Sequence, residues 1–326
     1  AKAGSDYQAR SAEVIFPARE SRATITIPIT ADSLAESTEQ FTVTLSPTGS
    51  TGVGNQRTAT VNIIDAPAQL LNISTRAQVL TGDNRAIAGF IITGQQSKRV
   101  LLLAKGPSLE ADGRPVPGRL SDPTLELRNV NRELLQTNDN WKDSPDRQQI
   151  EDAGLAPKDD RESAILLTLA PGAYTGIIAG RDNDTGVGLV EVYDFDRGVA
   201  GLLANISTRG VVGTGDNVMI GGFIAGNNSS TTRTLIRGIG PSLAGQVAEP
   251  LGDPVLELHD ANGATLATND NWKDSPDRAA IEATGIPPKH DLESAILYSI
   301  SRAAYTAVLR GKDGTGVALV EIYNLR

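Results

Sequence analysis

A long internal repeat constrains this chain more than any other feature. Asn72-Ile73-Ser74-Thr75-Arg76 returns as Asn205-Ile206-Ser207-Thr208-Arg209, an offset of 133. Thr81-Gly82-Asp83-Asn84 returns as Thr214-Gly215-Asp216-Asn217, and Gly106-Pro107-Ser108-Leu109 as Gly240-Pro241-Ser242-Leu243. The run from Asn138 to Arg147 recurs unchanged from Asn269 to Arg278. Glu162-Ser163-Ala164-Ile165-Leu166 recurs as Glu293-Ser294-Ala295-Ile296-Leu297. The copies close on Val190-Glu191-Val192-Tyr193 and Val320-Glu321-Ile322-Tyr323. One supersecondary unit is used twice. Three units are expected: residues 1–66, 67–198 and 199–326. The joints, around 65–68 and 196–198, are short and polar and favour a semi-rigid string.

The pattern inside each unit is that of strands. Residues 24–29, 41–45 and 58–64 alternate Thr with Val, Ile or Leu, the period of half-buried antiparallel strands. In the first copy, 88–92 and 100–103 read as buried strands, and 124–128, 174–178 and 188–193 as alternating ones. Turn residues separate them at sandwich or jelly-roll spacing. The runs Thr51 to Gly54 and Thr185 to Gly188 read as turns entering a last strand. One short helix per copy is expected: Ser144 as N-cap, Pro145 in the first turn, Asp146 on the dipole and Gly154 at the end, with Ser275, Pro276, Asp277 and Gly285 as equivalents. The fold class is all-β: three tandem antiparallel β-sandwich or jelly-roll-like units with one short helix per repeat.

Composition narrows the chemistry. The formal charge is −9, with Lys+Arg 30 and Asp+Glu 39, so a basic stripe for nucleic acid is not expected. Cys is 0, which removes disulfides, thiolate nucleophiles and Cys–metal sites. His is 2, and His259 matches Arg128 while His290 matches Asp159, so no site present in both copies can depend on histidine. Ser108 and Ser242 lack the Gly-x-Ser-x-Gly elbow of a nucleophile. No apolar run reaches the roughly 20 residues of a membrane helix. The chain opens Ala1-Lys2-Ala3-Gly4 without Met or an apolar signal core, so its natural start is expected upstream.

The segment Ala3-Gly4-Ser5-Asp6-Tyr7, the run Ile27-Pro28-Ile29, an acidic loop over 32–39, then Gln40-Phe41-Thr42-Val43-Thr44-Leu45 and Ala59-Thr60-Val61-Asn62-Ile63-Ile64-Asp65 together resemble the second half of a Calx-beta domain. The resemblance implies an extracellular or regulatory β-sandwich, often calcium-binding, with Asp6, Asp32, Glu36, Glu39 and Asp65 at ligand positions. The family's first strands would precede Ala1. They would be supplied by chain outside this sequence, replaced by the next domain, or donated by a neighbouring molecule through β-augmentation.

The latter part of each copy, Asp122-Pro123-Thr124-Leu125-Glu126-Leu127, Gln136-Thr137-Asn138-Asp139-Asn140 and Ala170-Pro171-Gly172-Ala173-Tyr174-Thr175, resembles the bacterial pre-peptidase C-terminal domain. That implies a secreted, often calcium-stabilised sandwich attached to exported proteins.

Oxygen donors gather at Asn138, Asp139, Asn140, Asp143 and Asp146, with Asp122 upstream and Asp160 and Glu162 on another loop. The second copy offers Asn269, Asp270, Asn271, Asp274, Asp277, Asp253, Asp291 and Glu293. Two readings stand: a Ca2+ site, which takes six to eight oxygens, or a turn and helix cap built by the same residues. Trp141 and Trp272 lie in the same segment. They either plug the core or present a ring to a sugar or a partner. Arg76 and Arg209 are expected to pair with Asp83 and Asp216, with binding of an anion as the alternative.

The expected role is non-catalytic: an exported bacterial cell-surface or extracellular-matrix protein. It would assemble with itself or adhere to surface proteins or polysaccharide, with a filament through strand edges as its sharpest form. The alternative is a calcium-stabilised carbohydrate- or protein-binding module beside a larger secreted protein.

Overall fold

The computed structural model describes all residues except 17, 31–38, 50–51, 64–68, 112, 197–201, 227–230 and 326. The chain divides into two compact units. One holds residues 1–68 with 227–231, and the other 69–226 with 232–326.

In the first unit, β1 (Glu39–Thr44) and β2 (Thr58–Ile63) pair antiparallel, Glu39 opposite Ile63 and Thr44 opposite Thr58. Leu45 N–H donates to Arg57 C=O and extends the ladder by one step. Tyr7 stacks on Phe41, with ring centroids 4.2 Å apart. The strand expected over residues 24–29 does not form a ladder. Among the described residues its one bridge is Ile29 to Tyr7, while Gln8 N–H donates to Pro28 C=O. Alternation sets which way side chains point, but a strand also needs a partner edge. Ile25 and Ile29 remain 43% and 51% exposed.

Among the described residues the second unit contains eighteen strands, sixteen of them in one connected hydrogen-bond network and two in a separate hairpin. The first copy supplies β3 (Gln69–Val79), β4 (Ala86–Thr93), β5 (Lys98–Lys105), a small hairpin β6 (Glu110–Ala111) and β7 (Arg114–Pro115), β8 (Pro123–Asn129), β9 (Leu134–Asn138), the helix α1 (Arg147–Asp152), β10 (Ser163–Leu169), β11 (Gly172–Gly180) and β12 (Gly186–Asp194). The second supplies β13 (Leu202–Val212), β14 (Met219–Gly226), β15 (Thr232–Ile239), β16 (Pro254–His259), β17 (Thr265–Asn269), α2 (Arg278–Ala283), β18 (Ser294–Ile300), β19 (Ala303–Gly311) and β20 (Gly316–Leu325).

Each copy lays four of its own strands in each of two facing sheets: β10-β5-β12-β3 over β4-β11-β8-β9 in the first, and β18-β15-β20-β13 over β14-β19-β16-β17 in the second. β3 pairs on one side with β12 of its own copy and on the other with β14 of the second. β13 pairs with β20 of its own copy and with β4 of the first. Two eight-stranded antiparallel sheets result: β10-β5-β12-β3-β14-β19-β16-β17 and β18-β15-β20-β13-β4-β11-β8-β9. The two sandwiches expected from the sequence are present, and they are joined edge to edge, so that each long sheet is half from one copy and half from the other.

A local two-fold axis relates the halves. Thr75 and its counterpart Thr208 are 2% and 1% exposed, and their hydroxyls hydrogen-bond at 2.8 Å. A residue that touches its own equivalent lies on such an axis. Ser74 faces Gly222 across β3–β14, and Ser207 faces Gly89 across β13–β4. A Cβ at Gly89 would lie 2.7 Å from Ser207 Oγ, and one at Gly222 2.8 Å from Ser74 Oγ. The repeated Asn-Ile-Ser-Thr-Arg thus marks the two central strands. The core between the sheets is aliphatic, with Leu102, Leu125, Ile178, Val192, Leu256 and Ile322 all buried.

Candidate functional site

The most buried charges of the repeats are carboxylates. Glu162 and Glu293 are each 0% exposed. Glu162 Oε1 accepts the backbone N–H of Gly106 and of Ser108, both at 3.0 Å, and the Ser108 hydroxyl at 2.7 Å. Glu293 repeats the pattern: Gly240 N–H at 3.2 Å, Ser242 N–H at 2.9 Å and Ser242 Oγ at 2.9 Å. It also accepts Lys289 and His290 N–H at 3.1 Å. The Gly-Pro-Ser-Leu turn is a cradle that ties one loop to the start of β10 or β18. A buried carboxylate is tolerated when several donors meet it. Ser108 and Ser242 therefore donate to glutamate, and Glu162 and Glu293 do not join the other expected calcium ligands.

The Asn-Asp-Asn-Trp segment is similarly engaged. Trp141 and Trp272 are both 5% exposed. Trp141 packs on Leu101, Leu103, Ile150, Ala164 and Leu166, and Trp272 on Leu235, Ile281 and Ala295. Their indole N–H groups donate to Asp159 C=O at 3.1 Å and His290 C=O at 3.0 Å. This is the core plug of the two readings. Asn138 Oδ1 accepts Ala164 N–H and Asn269 Oδ1 accepts Ala295 N–H, both at 2.8 Å. The helix begins later than expected: Asp146 and Asp277 hold the cap positions, with no side-chain capping bond. Ser144 and Ser275 Oγ instead accept the N–H of Asp146 and Asp277, making a turn ahead of the helix. The helices end as expected before Gly154 and Gly285, at φ 69° and 74°.

The remaining expected ligands scatter. Asn140 and Asn271 reach Asp143 and Asp274 at 3.4 Å. Asp146 accepts Gln149 Nε2 at 2.7 Å. Asp277 lies exposed at its cap. Asp160 and Asp291 pair with Lys142 and Lys273. Asp6 is buried in the Ala3–Tyr7 turn, where it accepts Lys2 N–H. Glu39 opens β1. Asp32, Glu36 and Asp65 lie outside the described residues. Among the described residues no group of three or more His, Cys, Asp or Glu is placed to hold a metal. Arg76 and Arg209 form no ion pair with Asp83 and Asp216 among the described residues. The arginines point from mid-strand, and the aspartates sit exposed in the following turns.

One constellation recurs that the motif reading places only at the margin. Asp122 and Asp139 approach each other beside Arg181, whose Nη1 reaches Asp139 Oδ2 at 2.5 Å. Asp253 and Asp270 do so beside Lys312, with Nζ 2.5 Å from Asp270 and 3.9 Å from Asp253. Oδ1 of all four aspartates, and of Asn271, is enclosed with no hydrogen-bond donor. Burial, then the neighbouring Asp139 carboxylate, holds Asp122 above the usual carboxylate range; burial and Asp270 do the same to Asp253.

Sequence patterning also misses a buried ion pair. Lys98 Nζ lies 2.8 and 2.7 Å from the oxygens of Asp194 and 3.0 Å from Asp196 C=O, with both side chains at most 1% exposed. In the second copy the same place holds Thr232 Oγ1 donating to Asn324 Oδ1 at 2.8 Å.

Comparison with curated proteins returns no match. Among solved structures, a chain of the Sulfolobus turreted icosahedral virus is 11% identical, over 88% of this chain and 90% of that one, at a TM-score of 0.17. PNGF-II is 8% identical over 98% and 64%, at 0.21. The 11S allergen of Cocos nucifera is 6% identical over 81% and 79%, at 0.12. Residues 1–67, the region of the Tyr7–Phe41 stack and the β1–β2 ladder, match the family model of the Calx-beta domain, the family to which this first part of the chain is similar.

Proposed function

We propose that the chain is a non-catalytic structural part of an exported bacterial surface or matrix protein, joined to its surroundings by sandwich faces and strand edges. One observation carries the reading: the two copies are joined edge to edge into continuous sheets by the β3–β14 and β4–β13 ladders. Such an arrangement resists separation of its repeats, because pulling them apart breaks two full ladders. The conspicuous polar motifs serve this scaffold as cradles, plugs and turns. The similarity of residues 1–67 to a non-catalytic module family points the same way. No helix among the described residues is long and apolar enough to cross a membrane. Protease shaving of intact producing cells tests it. Release of peptides from residues 69–326 is the expected result, and recovery only from the cytosol overturns it.

A second reading, the calcium-stabilised accessory module, draws support from the undonated oxygens of Asp122, Asp139, Asp253 and Asp270. Hard cations take such oxygens, with Ca2+ completing its shell from carbonyls and water. A carboxyl whose folded pKa is raised contributes stability below its unfolded pKa and loses that contribution as pH rises through the folded value. Without divalent ions, Asp122→Asn and Asp253→Asn are therefore expected to raise Tm at neutral pH, with the gain fading towards acid. With Ca2+ the order reverses, because the wild type gains Tm by ligation and the variants do not. Equal calcium shifts in wild type and variants count against these pairs as the site.

A further inference from the structure

We infer that the edge-to-edge strand pairing that joins the two copies inside this chain also runs between chains, so that the partner of these edge strands is a second copy of this protein. The two donor strands carry the same Asn-Ile-Ser-Thr-Arg, at 72–76 and 205–209. The two acceptor edges are equally alike. β4 offers Gly89 to Ser207, and β14 offers Gly222 to Ser74, with the close approach that only glycine allows at both. Even the register breaks correspond, between Leu203 and Asn205 on one ladder and between Ile224 and Ala225 on the other. A donor from another chain makes the same ladder, the same Ser–Gly contact and the same Thr75–Thr208 bond.

Nothing in the paired strands distinguishes self from neighbour. Covalent linkage does: the short stretch between Asp194 and Leu202 keeps the two copies at an effective concentration of about a millimolar. The closed single chain dominates at lower concentrations. When the first copy of one chain closes on the second copy of the next, each chain keeps one free copy, the assembly has a free half at either end, and a linear assembly grows. The inference rests on strand chemistry alone and holds wherever the protein resides.

The chain has no cysteine, which makes disulfide trapping clean. Ile87 and Arg209 lie directly opposite across β4 and β13. Cross-strand spacing suits a disulfide there. The full-length Ile87→Cys/Arg209→Cys variant is unfolded in denaturant, refolded over a range of protein concentrations, oxidised, and run on a non-reducing denaturing gel. Dilute samples give an intrachain bond, which also reports that the native register has formed. Concentrated samples are expected to give a ladder of covalent oligomers that approaches half of the protein near about 1 mM. Light scattering of wild-type protein refolded in parallel shows the same oligomers. Intrachain bonding alone at every concentration overturns the inference. So does a yield of dimer in either single-cysteine variant equal to that of the double variant, which traces the bonds to collision of thiols rather than to paired strands.

Discussion

Replacing Glu162 by Ala is expected to lower the stability of the long sandwich by roughly 3–5 kcal/mol, the range for leaving several buried donors without an acceptor. The carboxylate is fully enclosed and gathers two backbone N–H groups and a hydroxyl on one loop. Removing it strands those donors away from water. Glu162→Gln keeps one acceptor oxygen and sets an NH2 group against the same donors, so it should fall between wild type and Ala. At about 2–4 °C per kcal/mol for a unit of this size, the Ala variant should melt about 6–20 °C lower. Glu293→Ala should lower the same transition by a similar amount, because both copies share both sheets. Calorimetry decides the point. A single transition moved by either variant fits the shared sheets. Two transitions, each moved by only one variant, would falsify them.

The strands, their faces and the short helices were legible because period and turn chemistry are local. The alternation of residues 124–128 and 174–178 became β8 and β11, and Gly154 and Gly285 ended the helices. The edge-to-edge joining of the copies through β3, β4, β13 and β14 was not legible, for a physical reason. The edges of β4 and β14 present nearly the same surface, so the pattern of a donor strand cannot say which edge it joins. Chain connectivity and the reach of the turns over residues 80–85 and 213–218 decide it. The failure over residues 24–29 has a related cause: alternation describes a strand's faces and not its partner.

Of the expected site residues, the candidate calcium ligands Glu162 and Glu293 instead accept from the Gly-Pro-Ser-Leu turns, and Trp141 and Trp272 take the core position of their two readings. The signal was present in the co-recurrence of Gly-Pro-Ser-Leu and Glu-Ser-Ala-Ile-Leu, which meet as cradle and guest. The aspartate pairs were harder to see. Asp122 and Asp139 lie on different strands and loops, and only β8 and β9 pairing as neighbours brings them together. Lys98 was hidden by its setting at the head of a buried apolar strand, where a charge has no local signature.

The second large effect is expected at that lysine. Asp194→Ala should cost about 3–5 kcal/mol, because it leaves a fully buried ammonium without its counter-charge. Lys98→Met should cost a comparable amount by leaving the carboxylate unpaired. The second copy supplies the control. There the same positions hold Thr232 and Asn324, joined by a neutral hydrogen bond at 2.8 Å within the same β15–β20 ladder. The double variant Lys98→Thr/Asp194→Asn transplants that pair into the first copy, and its cost should be no more than about 1–2 kcal/mol, since buried ion pairs gain little over well-fitted neutral partners. The two changes are therefore strongly non-additive, with a coupling of several kcal/mol in denaturant titrations. A double variant as unstable as Asp194→Ala would mean that the ion pair, with its further bond to Asp196 C=O, does more in the first copy than fill a polar slot between β5 and β12.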